Sequence, residues 1–311
     1  SMKTIYTSQS TRENLDLLYA QACIYDNVKN WNKLNFTFSI IIPLLLSVLT
    51  VYNRSLKFVD IELLSSLLGL YGLLVLTLNI AVSSHIASLR RKAASVQEMY
   101  DCRVLGIRRN ELKVEEIPRD EICRAAERFK NNQAKANKRF GDEGWYVSKV
   151  YDAPHSVMAL LCHGKNLGWD RSLREVMHVF YLSAFIIAPV AMIIYGIVMK
   201  SGMNEILFYI VFTMPVIRYF LLQFLDNRSS MKRSEKLKKY VEKEISSIRV
   251  SGRIEEEKLG YTLRNIQDEI FSYRVSCPPV PNCIQRLMKG KNERIYDDYF
   301  ESNLKMMHLS D

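Results

Sequence analysis

Aromatic and basic side chains that suit a nucleotide occur in two stretches of the sequence. Trp145 and Tyr146 are adjacent, and Trp169, Arg171 and Arg174 follow further along. An aromatic ring stacks on a nucleobase, and a guanidinium group binds a phosphate through paired hydrogen bonds. These five residues are therefore candidate ligand-binding residues. The last three also directly precede an apolar stretch, where interfacial aromatic and basic residues are expected in a membrane protein, and this alternative stays open.

Polar side chains inside apolar stretches are the second group that could serve a function. Asn79, Ser83 and His85 lie in one such stretch, and Arg218 lies in another. A polar or charged group within a bilayer is costly, so it faces a bundle interior, a water-filled path or the head groups. These residues are candidate pore or gating residues. The alternatives are interhelical hydrogen bonds for the first three and snorkelling or a structural ion pair for Arg218.

Motifs of enzymes and metal sites are absent from the sequence. There is no GxSxG, Walker loop, HExxH or glycine-rich dinucleotide turn. The six cysteines form no CxxC pair, and no His-Cys cluster has zinc spacing. We therefore predict no catalytic residues, no metal and no enzymatic activity.

Four apolar stretches of the sequence determine where the candidate ligand-binding and pore residues lie. The chain has 311 residues, 48% of them apolar, and a net charge of +10, but the charges are segregated away from these stretches. Crossing a bilayer takes about 20 apolar residues in a helix, and each stretch is near or above that length. They are 34–52, 63–89, 176–199 and 206–225. The pattern predicts an all-α integral membrane protein with four transmembrane helices arranged as two hairpins, together with a helical cytoplasmic region.

The distribution of basic residues predicts the topology. Arg90, Arg91, Arg228 and Lys232 adjoin the apolar stretches, which the positive-inside rule and contact with anionic lipid explain better than binding to a nucleic-acid polymer. Both termini are then cytoplasmic in a multi-pass protein. The predicted regions are an N-terminal amphipathic helix (1–33), a first transmembrane hairpin (34–89), a cytoplasmic helical region (90–175), a second transmembrane hairpin (176–225) and a C-terminal cytoplasmic helical region (226–311).

Periodicity and proline positions predict helices within the charged regions. Pro118 and Pro154 can each open a helix, and the second is predicted to run through Cys162, before the third apolar stretch. Leucine and isoleucine recur at heptad spacing in a predicted helix over 254–275, which can pack within the chain or between subunits. After the prolines that end this helix, a last short helix is predicted over 294–304.

Three separated segments resemble a known family. They are ENLDLLYAQACIYDNVKN at 13–30, LLCHGKNLGWDRSLR at 160–174 and SCPPVPNCIQRLMKGKNE at 276–293. In their order around four apolar stretches they resemble the SMODS-associated four-transmembrane effectors, the pore-forming effectors of bacterial CBASS anti-phage defence. The matching positions are Asn14, Leu15, Gln21, Tyr25, Lys29, Cys162, Asn166, Trp169, Asp170, Leu173, Arg174, Pro278 and Pro281.

This resemblance implies a function that composition does not. A nucleotidyltransferase of the cGAS/DncV-like class makes a cyclic di- or trinucleotide on infection, and the effector binds it and disrupts the bacterial inner (cytoplasmic) membrane. The activating nucleotide is then the only small molecule expected, with no cofactor, and a wide pore implies a homo-oligomer. Two other interpretations stay open. They are a constitutive ion channel or transporter, and a membrane scaffold that does not conduct.

Overall fold

The described part of the chain consists of helices and the loops that connect them. The computed structural model describes residues 4–46, 48, 49, 60–131, 139, 140 and 145–308, and none of these residues forms a strand. Its helices are α1 (Ile5–Gln9), α2 (Arg12–Phe36), α3 (Ile61–Leu105), α4 (Arg119–Lys130), α5 (His155–Val198), α6 (Met203–Ser251), α7 (Glu256–Ser276) and α8 (Asn282–Met306). The predicted all-α class is confirmed for these residues.

The chain forms two compact units. The unit that we call the charged unit comprises Ser1–Asn27, Leu89–Val176 and Ser229–Asp311. The other, which we call the apolar unit, comprises Val28–Ser88 and Met177–Arg228. Helices α2, α3, α5 and α6 each contribute residues to both units.

The charged unit has one main hydrophobic core to which all eight of these helices contribute. Leu17 of α2, Tyr100 of α3, Leu161 of α5, Ile245 of α6 and Phe300 of α8 are all essentially inaccessible to solvent. The heptad seam of α7 also belongs to this core. Its four aliphatic members are buried within the same chain, which is the first of the two predicted packings: Leu259, Leu263, Ile266 and Ile270.

Helix boundaries follow the prolines and glycines, with two differences from prediction. Helix α4 begins directly after Pro118, and α6 ends before Gly252, whose φ of +60° an L side chain rarely adopts. Helix α5 does not stop after its first turns but continues from His155 to Val198. Helix α8 is longer than expected, because it begins directly after Pro281 and no later residue breaks it.

Two helices are long and apolar enough to cross a membrane. They are the segment Gly69–Leu105 of α3 and the whole of α5, and only 6% of the most apolar part of each is buried. Leu70, Ile80, Ile187 and Val198 are each more than half exposed. A water-soluble protein does not leave such an array uncovered, so these surfaces require an apolar environment. The other two predicted spans, 34–52 and 206–225, stay predictions, and residues 47 and 50–59 of the first hairpin lie outside the described residues.

Proline positions shape the apolar unit. A π-helical turn, Thr37–Ile41, follows α2, and the N–H of Ile42 bonds to the carbonyl of Thr37. Pro43 lies two residues after this turn. It has no N–H and its ring crowds the preceding turn of helix, which favours such a local widening. Pro189 and Pro215 lie inside α5 and α6 respectively, so a proline alone does not end either helix.

Candidate functional site

A buried network of charged and polar side chains joins α3 to α7 in the charged unit. Glu98 and Asp101 are one helical turn apart on α3 and are both inaccessible to solvent. Arg264 donates to Glu98 across 2.7 Å, Gln267 donates to Glu98 across 2.6 Å and to Asp101 across 3.0 Å, and Arg274 donates to Asp101. Each buried carboxylate is thereby matched by a cation, as burial of charge requires.

Tyr146 lies inside this network and not at the surface. Its hydroxyl donates to Asp101 and accepts from Asn166 across 3.2 Å, and its ring stacks on Tyr100 at 6.0 Å. Its backbone N–H donates to the side chain of Gln9 across 2.9 Å. Tyr146 is fully buried, so its contacts fix the segment that carries it. Its neighbour Trp145 is half-buried against Phe140, with 5.6 Å between ring centres.

Lys165 joins the two stretches that the sequence singles out. Its ammonium group donates to the carbonyl of Tyr146 across 2.6 Å and lies 5.8 Å from the ring centre of Trp169. Burial lowers the pKa of Lys165, since the charged form loses hydration. The structure thus brings Tyr146 and Trp169 to the same cation, a residue that sequence reasoning missed.

Trp169 lies where α5 meets α8. Its ring stacks on Tyr296 at 6.2 Å with an interplanar angle of 27°. This close approach depends on two glycines of α5, because a Cβ at Gly168 would overlap the hydroxyl of Tyr296, and one at Gly164 would overlap the hydroxyl of Tyr299. Their four-residue spacing was the signal in the sequence that could have identified this contact.

The two arginines of the predicted site are held by carboxylates. Arg171 is half-exposed and pairs with Glu175 of its own helix at 3.0 Å and with Glu235 of α6 at 3.6 Å. Arg174 is buried; it donates to Asp170 across 2.8 Å and to the carbonyl of Pro278 across 3.1 Å. Arg171 is therefore open to a competing anion, whereas Arg174 fastens the proline-rich segment to α5.

We call Lys165, Trp169, Arg171, Tyr296 and Tyr299 the aromatic–cation cluster. It combines stacked rings with two cations on a few turns of helix, and Lys238 of α6 lies beside Gly168 at its edge. Tyr299 donates to Glu242 of α6 across 3.1 Å, which ties α8 to α6 as well. Rings and cations in this arrangement can bind a base and a phosphate.

Burial shifts the pKa of several other groups near the network. Burial raises the pKa of Glu98, although Gln267 and Arg264 donate to it and oppose the shift. Burial also lowers the pKa of His163 from 6.5 to about 4, and neither of its ring nitrogens has a hydrogen-bond partner among the described residues. His163 is therefore neutral at physiological pH.

The predicted pore residues lie in the apolar unit. Asn79 accepts from Asn35 across 3.3 Å and from Ser83 across 3.2 Å. The ring of His85 meets Trp31 edge-on, with 5.0 Å between ring centres. Contacts of this kind stabilise the packing of helices. The assignment of these residues to a pore or a gate stays a prediction.

Arg218 differs from the other predicted pore residues. Its side chain is exposed, and it makes no hydrogen bond or ion pair with the part of the chain that the structure describes. An exposed cation in an apolar helix is available to a lipid head group or to a second subunit.

An alternative ligand site would be a cleft elsewhere in the charged unit or a group of side chains that could bind a metal ion. A cleft of about 170 Å³ between α1 and the start of α5 is lined by Tyr6, Tyr151, His155 and Met158 among others, and by none of the predicted ligand-binding residues. No group of three or more His, Cys, Asp or Glu within the described residues could hold a metal ion. The six cysteines are free thiols.

Comparison with known proteins gives two matches. The family model described as the SMODS-associating 4TM effector domain matches residues 3–302. A protein of Bacillus cereus (strain VD146), named as a probable CBASS effector molecule, is 23% identical over 291 residues, which cover 92% of this chain and 93% of that protein. No solved structure matches the chain significantly.

Proposed function

Because the chain belongs to the family of SMODS-associating 4TM effectors, we propose that it is a CBASS effector that a cyclic oligonucleotide activates and that then permeabilises the bacterial inner membrane. The Bacillus cereus relative supports the CBASS role. The physical steps of activation follow from the contacts of the charged unit.

One observation carries this proposal. The same unbroken helix, α5, holds Lys165, Trp169 and Arg171 and then presents exposed apolar residues from Val179 to Val198. A helix transmits rotation and tilt along its axis, since its backbone hydrogen bonds resist local bending. A change in how the first part of α5 packs therefore alters the apolar part without any intermediate element.

The ligand acts, in this proposal, by competing for Arg171. A base stacks against Trp169, and a phosphate takes the guanidinium group from Glu235, which breaks a link between α5 and α6. Trp145 is a second candidate for stacking on a base, while the buried Tyr146 and Arg174 hold the segments around Trp169 in place. Activation requires that the ligand bind the rearranged state more tightly than the resting state. The contact between the phosphate and Arg171 supplies that difference, because the ligand makes it only after the guanidinium group has left Glu235.

The membrane part of the proposal has four spans and more than one subunit. Two spans are the apolar parts of α3 and α5, residues 63–89 and 176–199, and the other two are 34–52 and 206–225. A protomer of four helices encloses only a narrow path, so several copies assemble around a pore. Asn79, Ser83, His85 and Arg218 then face water or a neighbouring subunit. With the connectors outside, both termini and the charged unit lie in the cytoplasm, where a cGAS/DncV-like nucleotidyltransferase supplies the ligand. The chain itself catalyses nothing.

Co-expression in bacteria tests this function. The full chain is expressed with an active cyclic-oligonucleotide synthase, or with the same synthase inactivated at its catalytic residues, and membrane potential is followed with a voltage-sensitive dye. We expect depolarisation with the active synthase alone. Depolarisation with both synthases favours a constitutive channel, and a stable potential with both favours a scaffold.

A further inference from the structure

The outer surface of α8 has a composition that suits a membrane surface. Residues three and four apart form one stripe over its first half, and all of them are exposed: Cys283, Arg286, Leu287, Gly290, Lys291, Arg294 and Ile295. Three of the seven are cations and two are large aliphatic residues. Leu287 is 73% exposed and Ile295 is 47% exposed. One exposed carboxylate, Glu293, lies at the edge of the stripe beside Arg286 and pairs with Lys289 at 3.7 Å, and Asp298 follows the stripe.

The opposite surface of α8 is already occupied. Asn292, Tyr296 and Phe300 are buried, and Asn292 donates to Ser172 of α5 across 2.7 Å. The helix is thus fixed in rotation, and the stripe faces away from the core of the charged unit. Aliphatic side chains held outward next to cations are not explained by packing within this unit.

Two contacts join α8 to α2 and α5 within the charged unit. Asn282 donates to Asp26 of α2 across 2.9 Å, and Asn292 bonds to Ser172. Along the sequence, Asp26 is followed eight residues later by Leu34, the first exposed aliphatic residue of α2. Ser172 is followed seven residues later by Val179, the first exposed aliphatic residue of α5.

We propose that the stripe on α8 binds the anionic head groups of the membrane that the apolar helices enter. The cations bind phosphate groups, and Leu287 and Ile295 enter the boundary between head groups and acyl chains. This inference rests on the proposed membrane function. It gives the charged unit a second attachment to the bilayer, on the helix whose tyrosines pack against the glycines of α5.

The test uses the one exposed cysteine of the described residues. The full chain, with the half-buried Cys23 and Cys123 changed to serine, is labelled at Cys283 with bimane and reconstituted in vesicles of phosphatidylcholine with or without phosphatidylglycerol. Quenching by a lipid with a nitroxide near its head group reports contact with the bilayer. We expect strong quenching with phosphatidylglycerol and weak quenching without it.

Variants separate a specific contact from a general charge effect. Lys291→Gln should lower the ratio of docked to undocked helix about fivefold. Combined Arg286→Glu, Lys291→Glu and Arg294→Glu should abolish the quenching. The matched control, Lys243→Glu, Arg253→Glu and Lys258→Glu, makes the same charge change at three exposed cations elsewhere in the charged unit and should leave it intact.

Several results would overturn the inference. Equal quenching with and without phosphatidylglycerol would show that the contact does not depend on anionic lipid. An equal loss of quenching in the control triple variant would show that the stripe makes no specific contact with the bilayer. Protection of Cys283 from a bulky maleimide in detergent alone shows that a second copy of the chain covers the stripe. If the chain stays in the membrane after alkaline extraction but the bimane is not quenched, this inference alone is wrong. If alkali releases the chain from the membrane, the proposed membrane function is wrong.

Discussion

Arg274 of α7 donates a hydrogen bond to Asp101 of α3, and both side chains lie in the interior of the charged unit. Asp101 also accepts from Tyr146 and Gln267. The pair therefore fixes the register of two helices distant in sequence and, through Tyr146, the segment that precedes α5.

The first prediction concerns this pair. Asp101→Asn leaves the buried guanidinium group of Arg274 without its counter-charge, so we expect the free energy of unfolding to fall by about 3–5 kcal/mol. Asp120→Asn breaks an exposed pair with Arg124 and should cost about 1 kcal/mol or less. Denaturant titration in detergent, followed by tryptophan fluorescence, compares the two. Equal losses would show that the Arg274–Asp101 pair is no more important than a surface contact.

The second prediction concerns the contact between α5 and α8. Gly168→Ala places a methyl group against the hydroxyl of Tyr296, and we expect a loss of about 1–3 kcal/mol from overpacking. Tyr296→Phe in the same chain should recover part of that loss, because the overlapping oxygen is removed.

Gly260→Ala is the matched control for this change. It adds the same methyl group to a helical glycine with no atom within 4 Å, and it should stabilise α7 by about 0.5–1 kcal/mol. If Gly168→Ala were also stabilising, the close approach of α5 and α8 would be wrong.

The third prediction concerns pH. Burial holds the pKa of His163 at about 4, below its ordinary 6.5, and the charges of Asp101, Arg274 and Arg264 act on it as well. Between these two values the unfolded chain binds a proton that the folded chain does not, so stability falls as the pH is lowered. At pH 5 the cost is about 2 kcal/mol.

His163→Phe should flatten this dependence. The variant keeps the bulk of the ring and removes the titrating group, so its unfolding midpoint should fall less between pH 7 and pH 5. Denaturant midpoints of both chains at several pH values measure the difference. Parallel curves would show that another group produces the acid sensitivity.

The fourth prediction concerns membrane insertion. Ile187 is 62% exposed in the apolar part of α5, and Ile187→Arg puts a charge there at a cost of about 3 kcal/mol. We expect less of the variant to resist alkaline extraction from membranes. Val250→Arg, at an 88% exposed position of the charged unit, should insert as the unaltered chain does. If Ile187→Arg also inserted fully, α5 would not be a span.

Much of the fold could be predicted from sequence because local signals determine it. Pro118 and Gly252 mark helix ends by restricting or permitting backbone angles, and the apolar runs of α3 and α5 stand out by length. The continuity of α5 could not be predicted in the same way. Glycines at 164 and 168 weaken a helix locally. The tyrosines of α8 that pack against these glycines stabilise this part of α5.

The candidate site was predictable in composition but not in geometry. Trp169 and Arg171 were identified by residue type, and they lie together in the aromatic–cation cluster. The residue type of Tyr146 suits a ligand contact equally, and that assignment stays a prediction. Its contacts with Asp101 and Lys165 could not be predicted, because those residues come from other parts of the chain. Pairings between distant segments leave no periodic signal in one sequence.

Leakage from vesicles tests the central claim most directly. The full chain is reconstituted in vesicles loaded with dye and with a potassium gradient, and a panel of cyclic di- and trinucleotides is added. We predict that one nucleotide triggers release at sub-micromolar concentration and that Trp169→Ala, with insertion intact, abolishes the response. Release without any nucleotide, or no release across the panel from correctly inserted protein, would contradict the account.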